Sequence, residues 1–146
     1  MRLIIDADAC PVKDEIVDIA GEYAISVILI SSICHEMPEY DNVQYQQVDN
    51  ISQAVDLAIM NEVKKGDVVV TGDYGLAAMV MGKGALVVSF RGKIFKEEQM
   101  DGLLENRYIQ QKFRRAGGRT KGPAPFSQDD RIHFSKSLEQ IIQHHG

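Results

Sequence analysis

Arg2-Leu3-Ile4-Ile5-Asp6-Ala7-Asp8-Ala9-Cys10-Pro11-Val12 opens the chain with an apolar run that delivers two aspartates into a turn. Leu3, Ile4 and Ile5 follow one another with no polar residue between them, as in a strand buried on both faces. Pro11 suits the first position of a helix, where its missing N–H needs no partner. Val12, Ile16, Ile19, Ala20 and Tyr23 recur on one helical face, which predicts an amphipathic helix over 11–23. Strand, acidic turn and helix make the first half of a βα unit.

The same alternation continues. Ile25 to Ile30 is a near-continuous β-branched and apolar run, again a covered strand. Ser31 to Asn42, with His35, Glu36 and Pro38, reads as a loop, and Val43 to Val48 alternates like an edge strand. Asp49 and Asn50 are cap candidates for a helix carrying Ile51, Val55, Ala58, Ile59 and Val63. Asp67 to Thr71 is a buried strand ended by Gly72-Asp73. Tyr74 to Met81 is a short helix closed by Gly82 and Gly84, and Ala85 to Ser89 is a further strand. A long helix is predicted over 97–115, with Met100, Leu103, Leu104 and Tyr108 inward. A basic Gly/Pro-rich loop comes next, from Ala116 to Pro125. A last helix from Asp129 to Gln143 buries Phe134, Leu138, Ile141 and Ile142. Strands alternating with helices predict an α/β domain with a mostly parallel central sheet.

The 146 residues suit one domain, and no repeat, low-complexity tract or linker divides them. With 45% apolar and 25% charged residues, the composition is that of an ordinary globular protein. No apolar run approaches the roughly 20 residues that span a bilayer. The amino terminus has one Arg followed by acids, unlike a signal peptide. A cytoplasmic setting without a membrane partner is expected. Cys10 and Cys34 are too few for a disulfide framework, no Cys/His spacing suggests zinc, and Cys10 beside Pro11 reads as packing.

The net charge of −5 is unevenly spread. Residues 1–62 hold twelve acids against Arg2 and Lys13, whereas 106–125 hold Arg107, Lys112, Arg114, Arg115, Arg119 and Lys121 with no acid. That block reads either as a phosphate-contacting surface or as a solvated helix face.

Ligands of open parallel sheets bind beyond the carboxyl ends of the strands, where the strand order switches direction. Asp6-Ala7-Asp8 and Thr71-Gly72-Asp73 each end a strand in this way. If those strands are neighbours, three carboxylates share one space and one takes up a proton unless a cation neutralises them. Carboxylate oxygens suit Mg²⁺ or Mn²⁺, which can activate water for phosphate-ester hydrolysis. Asp8 and Asp73 could equally be caps near helix starts, and Asp49 is both a further ligand candidate and a cap. A third reading is covalent phosphoryl transfer. Ile4-Ile5-Asp6-Ala7-Asp8 is similar to the apolar-DxD opening of haloacid-dehalogenase-like phosphatases, with Asp6 as nucleophile, Asp8 as acid/base and Lys64 or Lys65 as the lysine.

Asp6 to Lys13 (DADACPVK), Thr71 to Ala85 (TGDYGLAAMVMGKGA) and Phe90 to Phe95 (FRGKIF) resemble the YaiI/YqxD family of bacterial proteins. So do Phe113 to Phe126 (FRRAGGRTKGPAPF) and Asp129 to Phe134 (DDRIHF), so the resemblance spans nearly the whole chain. Because that family is placed with the PIN-like domains, the resemblance implies a three-layer α/β/α sandwich around a parallel sheet of about five strands. It implies one PIN-like domain over 1–146, with a basic helix-loop-helix extension over about 97–146. It also implies an Mg²⁺- or Mn²⁺-dependent ribonuclease, or a silent nucleic-acid binder with the same fold, and a homodimer is common in such domains. Asp6 or Asp8 matches the first acid of the PIN-like pattern, and Asp73 the acid of its T-x-D motif. The acid of a middle helix has only Asp49 as a substitute. Thr71 would position Asp73 through its hydroxyl. Arg91, Arg107, Arg114, Arg115, Arg119 and Lys121 would line the sheet edge and hold an RNA backbone.

Overall fold

β1 (Arg2–Asp6) lies at the centre of a sheet in the computed structural model, which describes residues 1–32, 40–51, 53–96 and 125–145. β2 (Ser26–Ser32) and β4 (Val68–Val70) flank it, while β3 (Val43–Val48) and β5 (Leu86–Val88) are the edges. The order is therefore β3-β2-β1-β4-β5, with all four pairings parallel. Four helices among the described residues, α1 (Lys13–Tyr23), α2 (Ala54–Glu62), α3 (Tyr74–Gly82) and α4 (Gln128–His145), complete a three-layer α/β/α sandwich.

Alternation along the strands divides the core in two. Leu3, Ile5, Val27, Leu29, Val68 and Val70 face one layer, where Ile16 and Ile19 of α1 meet Phe134, Leu138, Ile141 and Ile142 of α4. Ile4, Ile28, Ile30 and Val69 face the other, against Ala58 and Ile59 of α2 and Leu76, Ala77 and Val80 of α3. This is why the runs in β1, β2 and β4 contain no polar residue: both faces are covered. Each such side chain contributes roughly 1.5–3 kcal/mol when fully buried. At the amino edge, Arg2 bonds Asp67 (Nη2–Oδ2 2.7 Å) and Glu62 (Nη1–Oε1 2.7 Å), joining β1 to the start of β4 and the end of α2.

Several boundaries differ from expectation. α1 begins at Lys13, since Val12 at φ −118° is not helical and Pro11 lies in the turn ahead. Tyr23 is exposed at the end of α1, and its hydroxyl accepts from Gln143 Nε2 (2.9 Å). β2 continues through Ser31 and Ser32, both buried, because β3 pairs with it that far. α2 starts at Ala54 after Gln53 in the left-handed region, so neither Asp49 nor Asn50 caps it. The apolar stripe of α4 shares a core layer with α1, while most of the helix-loop-helix extension expected over about 97–146 lies outside the described residues. The helix expected over 97–115, nearly all of the basic loop and residues 33–39 lie outside the described residues.

Candidate functional site

From β1 the chain builds outward through β2 to β3, then returns to the other side of β1 for β4 and β5. The switch in order therefore lies between β1 and β4, and the crevice is at their carboxyl ends. Ile5 pairs with Val70, so Asp6 and Thr71 come level, on the face covered by α2 and α3. Thr71 is fully buried; its hydroxyl donates to Asp6 Oδ2 (2.9 Å) and accepts from the Asp73 N–H (3.0 Å). Thr71 thus positions Asp73 through its backbone, while its proton serves Asp6.

Asp73 caps α3, its Oδ1 accepting from the N–H groups of Gly75 (2.8 Å) and Leu76 (3.2 Å). Between it and Thr71, Gly72 lies under the Phe90 ring, which a Cβ would meet at 3.2 Å. Asp8 is no cap. Its Oδ1 accepts from Ser32 N–H (2.8 Å), fastening the turn after β1 to the end of β2.

Burial is the first cause that raises the Asp6 carboxyl to about 6; the Thr71 hydrogen bond opposes it, and the charges of Asp56, Asp8 and Asp73 add to it. Asp56 is the residue that sequence reasoning missed. It lies in the first turn of α2 and is half-buried. A helix that follows a parallel strand starts at the carboxyl edge of the sheet. An acid in that first turn, one helical turn before buried Ile59, is the signal that could have found it. Asp49 ends edge strand β3, two strands away from β1, and borders the groove between β3 and α2. It is not among the charges that most affect Asp6.

Arg91, in the turn after β5, pairs with Asp130 (2.9 Å) and lies over the Phe126 ring (5.6 Å). Arg131 lies on the same ring (5.1 Å) and bonds Pro11 O (2.6 Å) and Glu15 (3.1 Å). The amino end of α4 thereby ties together the loops after β1 and β5. Arg107, Arg114, Arg115, Arg119 and Lys121 lie outside the described residues. Burial pushes the Cys10 thiol up to about 11 and places it in the core as an inert packing residue. Lys64 and Lys65 precede β4 and so lie at the amino edge, opposite the pole where Asp6 ends β1.

Four aspartates offer the hard oxygen donors that Mg²⁺ and Mn²⁺ prefer. As arranged, no three His, Cys, Asp or Glu side chains among the described residues gather closely enough to hold a metal ion. Asp8 and Asp73 each turn Oδ1 to backbone N–H groups. The donor set fits a hard cation in kind without being closed around one.

A family model described as "Uncharacterized BCR, YaiI/YqxD family" matches residues 4–144. A UPF0178 protein of Enterococcus faecalis is 41% identical over 145 residues, covering 98% of each chain. One of Halalkalibacterium halodurans is 45% identical over 141 residues, 97% of this chain and 90% of the relative. One of Ruminiclostridium cellulolyticum is 45% identical over 144 residues, 98% and 93% respectively. No solved structure matches significantly. No helix among the described residues is long and apolar enough to cross a membrane.

Proposed function

The chain belongs to the YaiI/YqxD family, and from that premise we propose that its carboxyl-edge crevice hydrolyses phosphodiesters, RNA being the substrate, with the help of Mg²⁺ or Mn²⁺. The observation that carries this reading is the place of Asp6, at the strand-order switch, level with Thr71 and bonded to its hydroxyl, where burial and the charges of Asp56, Asp8 and Asp73 push its carboxyl up to about 6. Negative charge concentrated in this way is what a cation relieves. Asp6, Asp8, Asp56 and Asp73 would have to draw closer to hold the ion, which would supply charge neutralisation and lower the pKa of a water that attacks phosphorus. The chain's own part is orientation. Thr71 holds Asp6 and, through its backbone, Asp73; Ser32 N–H holds Asp8. Arg91 sits on the same edge, where a phosphate backbone would pass. The phosphatase reading is weaker, because its lysine would have to reach across the sheet from the amino edge.

The test is cleavage of labelled RNA with Mn²⁺ and with chelator, in wild type and in Asp73→Asn. Asn caps a helix as well as Asp does, so this variant removes the charge and keeps α3. Cleavage lost both in chelator and in Asp73→Asn is the expected result. RNA bound but never cut favours the silent binder instead, a reading that suits the engagement of Asp8 and Asp73 with backbone N–H groups. A trapped phosphoryl-Asp6 would restore the phosphatase.

A further inference from the structure

β3 has no strand paired to its outer edge among the described residues. Its six residues, Val43-Gln44-Tyr45-Gln46-Gln47-Val48, carry no charge and no proline, and their register with β2 is unbroken. Charge, proline or a bulge would blunt such an edge, and this one has none of them. Side chains alternate along the strand, so Val43 packs on the α1 layer and Val48 on the α2 layer. A groove opens on each face. On the first, Val17, Ala20 and Ile25 line a groove of about 470 Å³ that reaches Asp41 and Val43. On the second, Ile51 and Leu57 line one of about 450 Å³ with Val48 and Asp49. Ile51 at 68% and Leu57 at 63% are the most exposed large hydrophobic side chains of the described residues.

We propose that β3 is the docking edge for an extended basic peptide, which adds a strand to the sheet and rests alternate side chains over the two grooves. Charge selects this occupant. Residues 14–63 contain ten acids and no lysine or arginine. Asp41 and Asp49 stand exposed just beyond the two ends of β3, one bordering each groove. Glu62, also on the second groove, already shares Arg2 with Asp67, so Asp49 supplies that groove's charge. At the first groove α1 ends on Ala24 with no base in its last turn, and the partial negative charge of a helix carboxyl end adds to Asp41.

A second β3 fits this edge poorly, since it brings the same flanking acids and no cation to meet them. A phosphate backbone would be repelled. A basic peptide answers each feature. Its backbone pairs with the outward N–H and C=O groups of β3, its apolar side chains cover Ile51 and Leu57, and its cations reach Asp41 and Asp49. Six paired residues span roughly 20 Å, so the peptide needs about six residues in the ladder and a cation beyond each end. The edge lies two strands from β1, and the docking is independent of the chemistry proposed above.

The probe is a fluorescein-labelled synthetic peptide, alternating valine and threonine between a pair of lysines at each end, titrated with the full chain and read by fluorescence anisotropy. It is expected to bind. Binding should weaken about tenfold or more when glutamates replace the lysines, or when proline replaces a central valine and removes a ladder N–H. Asp41→Lys combined with Asp49→Lys should weaken it as much, with an unchanged circular dichroism spectrum. Gln46→Lys, which sets a cation on the exposed edge beside the second groove, should act in the same direction. Hydrogen exchange should slow at the β3 amides when peptide is added. Asp73→Asn separates this edge from the acidic pole around Asp6 and should leave the affinity within about twofold. A lysine peptide that binds no tighter than the glutamate one, or that tolerates proline, overturns the proposal. So does indifference to the charge-reversed variants, binding lost in Asp73→Asn, or a β3 edge already protected in a dimer of the chain.

Discussion

Replacing Asp6 by asparagine should make the protein more stable. Burial and three neighbouring carboxylates raise Asp6 from 3.8 to about 6 in the folded state, so the native protein holds that proton more tightly than the unfolded chain does. Ionisation of Asp6 therefore lowers stability as pH rises from about 4 to about 6, and the loss is complete above that window. A rise of roughly two units at 1.36 kcal/mol each corresponds to about 3 kcal/mol at neutral pH, falling to about half of that near pH 5. The asparagine side chain can still accept the Thr71 hydroxyl and carries no charge, so the variant should recover most of this difference. For a chain of this length the gain is about 6–12 °C in melting temperature. Thermal melts of both proteins in chelator, at pH 5 and pH 8, measure it directly. The gap between them should be widest at pH 8 and close as the solution is acidified. A variant no more stable than wild type at pH 8, or a gap that does not change with pH, refutes the electrostatic argument. Added Mn²⁺ should then raise the wild-type melting temperature and leave Asp6→Asn nearly unmoved.

Asp56→Asn should lower the Asp6 titration midpoint below about 6, since Asp56 is the foremost of the charges acting on it; carboxyl carbon NMR reads this shift. Thr71→Val removes one bond to Asp6 and one from the Asp73 N–H in a fully buried place, and should cost about 1–3 kcal/mol in urea unfolding. Gly92→Ala should be among the most destabilising single-methyl additions. At φ +92° a Cβ would lie 2.8 Å from the His133 and Phe134 backbone, so α4 must shift, and the loss, about 2 kcal/mol or more, should appear in the same melts.

Much of the candidate site's placement is legible in the sequence because β1 and β4 are short runs of buried residues, and the residues just past such a strand in a parallel sheet stand at its carboxyl edge. That rule places Asp6, Asp8, Thr71 and Asp73. The double role of Thr71 is only half legible: its nearness to Asp73 is a matter of two residues in sequence, but its bond to Asp6 crosses sixty-five. Asp56 escapes a linear reading because Asp49 and Asn50 look like the cap of α2, which hides that this later acid lies in the first turn. Asp49 draws attention instead, being next to a strand, although that strand is at the far edge.

What the amino-acid sequence determined by itself is local and periodic. Runs with no polar residue must be covered on both sides, so sandwich layers follow from Leu3 to Ile5 and from Val68 to Val70 alone. An aspartate two residues before a helical glycine amide will cap it, as Asp73 does. Only the tertiary structure decided that β4 returns to lie beside β1 instead of continuing outward past β3. Strand order depends on contacts between residues far apart in the chain, to which hydrophobic periodicity is blind. That one choice brings Asp6, Asp8, Asp56 and Asp73 to a single pole and raises the proton affinity of Asp6.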